Sequence, residues 1–156
     1  MSETPSKGPQ GANFSVAEAG PSSQWGKFHF PHPSGFDVEG KVFLKETLAL
    51  TGMEVSLNRL KPRAFVPFLH KHTLNEELYY FIAGQGEMVV DGTAFPVKAG
   101  SSVRVAPAGE RSWRNPSETD DLVYLVIQAR AGTMTGSMVS DGVKVDGRPR
   151  YPKNPS

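Results

Sequence analysis

The segment PFLHKHTLNEELYYFIAGQGEMVVDG, residues 67–92, carries the pattern on which the fold and the candidate site of this chain depend. It contains two of the chain's four histidines, His70 and His72, followed closely by Glu76 and Glu77. Side chains two positions apart on an extended segment point to the same face. Two imidazoles on one face, with a carboxylate nearby, suit a divalent transition metal. The spacing predicts a metal site; the alternative is a pair of ordinary strand histidines.

The flanking sequence predicts short strands. Asp91-Gly92 is a preferred pair for tight hairpin turns, so GEMVVDGTAFPV predicts a hairpin. The runs KVFLKETLAL and MEVSLNRL are extended, SSVRVAP alternates, and DLVYLVIQAR is apolar enough for a buried strand. Glycine (16) and proline (13) separate these runs, and no long segment shows a helical stripe. The pattern indicates an all-β sandwich or barrel.

Length and local composition predict one domain with two flanking segments. The 156 residues match the usual size of a single domain. Residues 1–24 are rich in Gly, Pro, Ser and Gln, which favours a disordered, flexible N-terminal tail. Residues 25–131 hold the predicted strands and form the expected barrel. Residues 132–156 are a C-terminal extension, in which VKVDGRPRY could form a small hairpin.

The composition also excludes several classes of function. The chain has no cysteine, so disulfides, thiolate nucleophiles and cysteine-based metal sites are ruled out. The 17 basic and 16 acidic residues give a net charge of +1, so neither nucleic acid nor an anionic membrane is an expected partner. No run approaches the ~20 apolar residues that cross a bilayer, and the N-terminus lacks the apolar core of a signal peptide. We expect a soluble, cytoplasmic protein.

Strand parity divides the residues after the histidines into two faces. Glu77, Tyr79 and Phe81 share one face, and Glu76 belongs to the other. Both faces carry large apolar or aromatic residues, so residue type alone does not decide which face is interior. Parity therefore allows only one of the two glutamates to join the histidines.

The run HKHTLNEELYYFIAGQG resembles the first motif of the cupins. That motif is His-x-His, three or four residues, Glu, six residues and Gly; His70, His72, Glu77 and Gly84 match it. Ala64 stands where the motif usually opens with glycine. The resemblance implies a single jelly-roll barrel, or double-stranded β-helix, whose interior holds one divalent metal. It also selects Glu77 as the carboxylate ligand.

The second cupin motif is altered in this chain. It usually runs Gly, five residues, Pro-x-Gly, two residues, His, three residues and Asn, whereas residues 100–115 read GSSVRVAPAGERSWRN. Counting forward from Gly109 places Ser112 in the histidine column, and counting back from Asn115 places Arg111 there. Neither is histidine, so the usual fourth protein ligand is missing. Arg111 is then either a surface arginine or a clamp for an anion near the metal.

The resemblance implies a metalloenzyme acting on a small polar substrate, such as a sugar phosphate or a carboxylate. The three ligands would hold iron, manganese, nickel or zinc with open positions, for isomerase-like or dioxygenase-like chemistry. Small single-domain cupins of this kind look similar to mannose-6-phosphate isomerase-like proteins. The alternative is a non-catalytic barrel that binds or senses a small molecule through a weakened metal site. The candidate substrate-pocket residues are Tyr79, Arg111, Ser112 and Gln128.

The N-terminal part of the barrel region carries the other two histidines. His29 and His32 lie in FHFPHP and could reach over a barrel mouth. The surrounding WGKFHFPHPSGF is apolar enough to contribute to a subunit interface. Small cupins commonly pair through sheet edges and N-terminal strands, so the resemblance implies a homodimer.

Overall fold

The computed structural model describes residues 3–136 and 141–152, which form mainly short antiparallel strands. Within these residues one helical turn, α1 (Lys45–Leu48), and one 3₁₀ helix, Ser22–Lys27, interrupt the strands. No helix among them is long and apolar enough to cross a membrane. The strands are β1 (Ser6–Gly11), β2 (Phe14–Glu18), β3 (His29–Pro31), β4 (Asp37–Glu39), β5 (Lys41–Phe43), β6 (Glu54–Leu60), β7 (Asn75–Ala83), β8 (Gln85–Val90), β9 (Thr93–Lys98), β10 (Ser102–Val105), β11 (Arg111–Arg114) and β12 (Leu122–Arg130).

Two antiparallel sheets form the barrel. The larger has the strand order β10-β7-β12-β6-β5, and the smaller has the order β11-β8-β9. Their facing side chains make the main core, with Tyr79, Phe81 and Val126 from the larger sheet and Met88 and Trp113 from the smaller. Removing this apolar surface from water is the main stabilising contribution. The predicted all-β jelly-roll barrel is confirmed.

The alternation of β7 fixes which glutamate faces the interior. Glu77, Tyr79 and Phe81 are 5%, 0% and 0% exposed, whereas Leu78 and Tyr80 are 39% and 43% exposed. The face with Glu77 therefore lines the barrel. This is the face that the motif selected and that parity alone left open.

Left-handed residues end the first motif and turn the hairpin after it. Gly84 has a φ of +84°, and a Cβ there would lie 2.2 Å from the carbonyl oxygen of Asp121, so only glycine fits. Asp91 and Gly92 have φ values of 49° and 79°. Positive φ at both positions is what a tight primed turn requires, and the predicted hairpin is formed by β8 and β9.

The histidine segment is extended but is not the regular strand that was expected. His70 forms an isolated bridge with Arg111, in which each backbone N–H donates to the other's carbonyl, at 3.2 Å and 3.0 Å. The N–H of His72 donates to the carbonyl of Pro107 at 3.0 Å. These bonds hold the segment between β6 and β7 against β11 and the turn that precedes it.

Residues 6–18 differ from the predicted unstructured tail. β1 and β2 pair as an antiparallel hairpin, and the Ser15 hydroxyl donates to the carbonyl of Leu48 at 2.7 Å. The N-terminal region also contributes side chains to a second, smaller core. That core contains Trp25, Phe28, Val42, Leu57 and Val123. The apolar side chains Trp25 and Phe28, which favoured a subunit interface, are therefore buried within the chain.

Two other local predictions were wrong. The proposed hairpin in VKVDGRPRY is absent, since residues 141–152 contain no strand. Val143, Val145 and Tyr151 are 84%, 80% and 83% exposed, so they gain no packing that would stabilise one. The run KVFLKETLAL is extended only over β5 and then forms α1, which ends where Ala49 adopts a left-handed conformation.

Candidate metal centre

His70, His72 and Glu77 converge inside the barrel. One candidate ligand atom from each lies within 4.8 Å of the other two. Nε2 of His72 is 3.0 Å from Oε1 of Glu77. Glu77 comes from β7 in the larger sheet, and the histidines come from the segment bridged to β11 in the smaller one. The structure thus brings together the three predicted ligands from opposite walls of the barrel.

The His70 ring has an unsatisfied nitrogen. Its Nδ1 is buried and has no hydrogen-bond partner among the described residues. The ring packs with its centroid 5.8 Å from those of Phe68 and Trp113. Burial, followed by the charge of Arg111, lowers the pKa of His70 to about 4, so the imidazole is neutral near pH 7. An unpaired buried polar atom is costly, and a neutral imidazole nitrogen is a common metal ligand, so the donor set fits a divalent transition metal.

The second oxygen of Glu77 is held by two buried side chains. Oε2 accepts hydrogen bonds from Nη2 of Arg111 at 2.5 Å, from its Nε at 3.2 Å, and from the Tyr79 hydroxyl at 2.6 Å. Burial raises the pKa of Glu77, but the bonds from Tyr79 and Arg111 outweigh it and hold the pKa below its usual value. Burial, with Glu77 beside it, raises the pKa of Tyr79 well above its usual range. The carboxylate is therefore ionised and the phenol remains a donor.

Arg111 occupies the interior position of the altered second motif. Its side chain is 0% exposed, and its guanidinium reaches the carboxylate ligand. Ser112, the neighbour on β11, points to the opposite face and donates from Oγ to the carbonyl of Val66 at 2.7 Å. The count back from Asn115 is thus the one that the structure follows. The surface reading of Arg111 is wrong, because Glu77 supplies the counterion that makes full burial tolerable.

The remaining pocket candidate, Gln128, lies opposite Glu77 in the register of β12 and β7. Directly paired residues share a sheet face, so Gln128 belongs to the interior side, where its Oε1 accepts from Nδ2 of Asn75 at 3.0 Å. Tyr79 and Arg111 lie on the same side. Of the four predicted pocket residues, only Ser112 faces away from the ligand cluster.

Sequence reasoning missed a second polar cluster inside the barrel. Nζ of Lys41 donates to Oδ1 of Asn58 at 3.0 Å and to Oγ of Ser56 at 3.4 Å. Burial lowers the pKa of Lys41 to about 8, against the opposing charges of Glu77 and Glu54. The available signal was the alternation in EVSLNRL, which gives Ser56 and Asn58 the same parity and places Val55 and Leu57 on the other face.

Of the two N-terminal histidines, His32 lies at the rim of the site and His29 lies on the adjoining hairpin. The ring of His32 stacks on Phe36 with centroids 4.4 Å apart and lies 5.5 Å from Phe68, which in turn contacts His70. His29 pairs with Asp37 of the same hairpin. The hairpin of β3 and β4 therefore stands one ring away from the ligand cluster. Neither histidine belongs to the group of candidate ligands found among the described residues.

Comparisons with known proteins agree with this architecture. The model of the cupin domain family matches residues 56–128. The crystal structure of a cupin protein from Bacteroides fragilis has a TM-score of 0.64 and 41% identity, covering 67% of this chain and 88% of that one. A structure from Thermotoga maritima described as a predicted oxalate decarboxylase has a TM-score of 0.53 and 28% identity, covering 62% of this chain and 83% of that one.

A match among curated proteins is shorter. An uncharacterized protein of Methanocaldococcus jannaschii is 44% identical over 39 residues, which is 25% of this chain and only 31% of that protein. Its name carries no functional information. The family match, the structural likeness and the convergence of His70, His72 and Glu77 of the first motif have one conclusion in common: the chain belongs to the cupin superfamily.

Proposed function

We propose that this cupin binds one divalent transition metal through His70, His72 and Glu77 and acts there on a small polar substrate. The observation that supports it is the buried, unpaired Nδ1 of His70 beside the His72 and Glu77 donors. Iron, manganese, nickel or zinc are compatible with two imidazoles and a carboxylate. The metal would act as a Lewis acid or, if it is iron, bind dioxygen.

The surrounding residues have defined tasks in this proposal. Arg111 and Tyr79 fix Oε2 of Glu77, which leaves Oε1 on the side of His72. Such outer contacts orient a ligating carboxylate and keep it ionised. Phe68 and Trp113 pack against the His70 ring and limit its rotation.

The substrate class follows from the charge of the interior. Arg111 and Lys41 place two cations in the interior, and Lys41 forms no ion pair with a carboxylate of the described residues, so an anionic substrate is favoured over a neutral one. The likeness to the Thermotoga maritima protein supports small carboxylates as the first substrates to screen. Sugar phosphates are the second set, and isomerase or dioxygenase turnover is the activity to assay.

Elemental analysis by plasma mass spectrometry tests the metal. The untagged protein is compared with a His70→Ala/His72→Ala variant and with a His29→Ala/His32→Ala control, which removes the chain's other two histidines. We expect about one metal per chain in the wild type and the control, and none in the site variant. Equal metal content in all three proteins, or none after incubation with the four candidate ions, would contradict the proposal.

A metal-free binding barrel is the second candidate, and one observation favours it. The Arg111 guanidinium already neutralises Glu77, so a divalent ion would meet a ligand set with no net negative charge. Arg111→Ala and Arg111→His separate the two functions. If the wild type is metal-free and only Arg111→His takes up metal, the second candidate is correct; metal in the wild type supports the first.

We also propose that the protein is a homodimer and cytoplasmic. The exposed face of β7 carries Leu78, Tyr80 and Ile82, which are 39%, 43% and 42% exposed and offer an apolar stripe to a second copy. Light scattering after gel filtration measures the mass in solution and so tests the homodimer. A monomer mass at micromolar concentration would contradict the dimer.

A further inference from the structure

The barrel interior contains a second cation besides Arg111. Lys41 starts β5, and the hydrogen-bond acceptors that its ammonium finds among the described residues are two neutral oxygens, Oδ1 of Asn58 and Oγ of Ser56. Ser56 and Asn58 are 2% and 3% exposed, so this end of the lysine lies among buried groups. A buried ammonium without a counterion is unfavourable.

Two carboxylates, those of Glu77 and Glu54, attract the Lys41 ammonium, but both accept hydrogen bonds from other groups. Oε2 of Glu77 is held by Arg111 and Tyr79. Oε1 of Glu54 accepts the backbone N–H groups of Lys45 at 2.9 Å and of Val55 at 3.0 Å. Among the described residues, no carboxylate forms an ion pair with Lys41. The charge of this ammonium is therefore incompletely compensated by the chain itself.

Lys41 and Ser56 each have a hydrogen-bond donor that no group of the described residues accepts. An ammonium has three donors, and two of those of Lys41 are used by Asn58 and Ser56. Oγ of Ser56 accepts bonds from Lys41 and from Nδ2 of Asn58 at 3.0 Å. The oxygen is the acceptor in both bonds, so the hydroxyl hydrogen of Ser56 remains available to donate to a ligand. One cationic and one neutral donor lie side by side.

Aromatic rings connect this cluster with the candidate metal ligands. Nζ of Lys41 lies 4.7 Å from the centroid of Phe43, whose ring is 5.0 Å from Phe30. Phe30 is 6.1 Å from His32, and the series continues through Phe68 to His70. The two polar clusters thus share one aromatic rim.

We propose that Lys41, together with Ser56, binds the carboxylate group of the small molecule that enters this barrel. A carboxylate has one negative charge and two oxygens, which match one ammonium donor and one hydroxyl donor. A phosphate has more oxygens and more charge, and Arg111, whose guanidinium is the one buried among the described residues, is bonded to Glu77. The place of the ligand rests on the proposed function, but the contact does not require the metal.

A binding experiment on the metal-free full chain tests this contact. The protein is stripped with a chelator and titrated with glycolate, inorganic phosphate and glycerol, while amide chemical shifts are followed by NMR. Lys41→Met keeps the aliphatic stem and removes the charge. Lys45→Met is the matched control, because Lys45 is exposed and only four positions away.

We expect glycolate to shift the amides around residues 41 and 56 in the wild type and in Lys45→Met. Losing a charge-assisted hydrogen bond should weaken glycolate about tenfold in Lys41→Met. Unchanged affinity in Lys41→Met, no glycolate binding to the wild type, or equal binding of glycerol would overturn the proposal. Tighter binding of phosphate than of glycolate would overturn the carboxylate assignment.

The stability of Lys41→Met separates ligand binding from a structural role. If Lys41 mainly holds Ser56 and Asn58 in place, the substitution Lys41→Met should lower the stability of the ligand-free protein. A lysine kept for an external anion leaves the ligand-free Met variant as stable as the wild type or more so. Metal content, measured on the same samples, stays unchanged in Lys41→Met. If glycolate binds but the isolated wild type takes up no metal from any of the four candidate ions, only the metal centre is refuted. If the wild type holds metal but its stripped form does not bind glycolate, only the role of Lys41 is refuted.

Discussion

Strand β11 carries two arginines three positions apart, and each pairs with a glutamate. Arg111 and Glu77 lie inside the barrel with side chains 0% and 6% exposed. Arg114 and Glu87 lie on the outer surface with side chains 62% and 43% exposed, as direct neighbours on β11 and β8. The two pairs have the same chemistry and nearly the same short N···O distance, 2.5 Å in each. The two pairs differ in their exposure to solvent.

The difference shows what each pair can contribute. Water and salt screen the outer pair, so its net effect on folding is small. The inner pair has lost its hydration, and each charge depends on the other. Arg111 also donates to the carbonyl of Gly109 at 2.9 Å, which ties the pair to the turn before β11. Breaking the inner pair should therefore disturb both the fold and the candidate metal ligand.

The largest expected effect is that of Arg111→Ala. Removing the guanidinium leaves the Glu77 carboxylate buried beside a cavity, and the free energy of unfolding should fall by about 3–5 kcal/mol. Urea unfolding of the metal-free protein, followed by tryptophan fluorescence, measures this. Because the cost comes from the stranded charge, a Glu77→Leu/Arg111→Met double variant should recover most of the loss. A single variant that loses under 1 kcal/mol would show that water reaches Glu77.

A buried cation that has no carboxylate partner should lower the free energy of unfolding, and among the described residues Lys41 is such a cation. The pKa of Lys41 is lowered from 10.5 to about 8 in the folded protein, so the unfolded chain binds more protons between these values. Stability should then rise with pH through this window, by about 3 kcal/mol relative to Lys41→Met. Below pH 8 both states are protonated and the difference is constant. Urea unfolding of both proteins at pH 7 and pH 10 checks the sign; parallel pH profiles would contradict it.

The sequence predicted the convergence of the three candidate ligands better than their surroundings, for a physical reason. His70, His72 and Glu77 obey local rules, since a spacing of two sets a shared face and β7 repeats that alternation. The environment of Arg111 depends on pairing between residues 34 positions apart, which spacing cannot reveal. The same holds for Lys41, whose partners lie on β6. The hairpin of β1 and β2 was missed because its stabilising contacts, such as that of Ser15 with Leu48, are also distant.

A smaller effect is expected for Tyr79→Phe, which keeps the inner pair but removes one of its donors. The loss of the hydroxyl bond to Oε2 should cost about 1–2 kcal/mol, because the acceptor is charged and buried. The lowered pKa of Glu77 contributes stability above the unfolded value that is lost as the pH falls. The variant should lose less stability on acidification than the wild type, because its Glu77 is less strongly held in the ionised form. Acid titration of metal-free protein by circular dichroism measures this.

The smallest effect is expected for Arg114→Ala, which completes the comparison. The outer pair should contribute between about 0 and 1 kcal/mol at low salt, and less in concentrated salt, because its charges are screened. The inner pair is shielded from ions, so the cost of Arg111→Ala should change little with salt. Unfolding of both variants and the wild type in dilute buffer and in 1 M sodium chloride gives the contrast. If Arg114→Ala proves as costly as Arg111→Ala, burial is not what distinguishes the two pairs, and the site's dependence on Arg111 would need another cause.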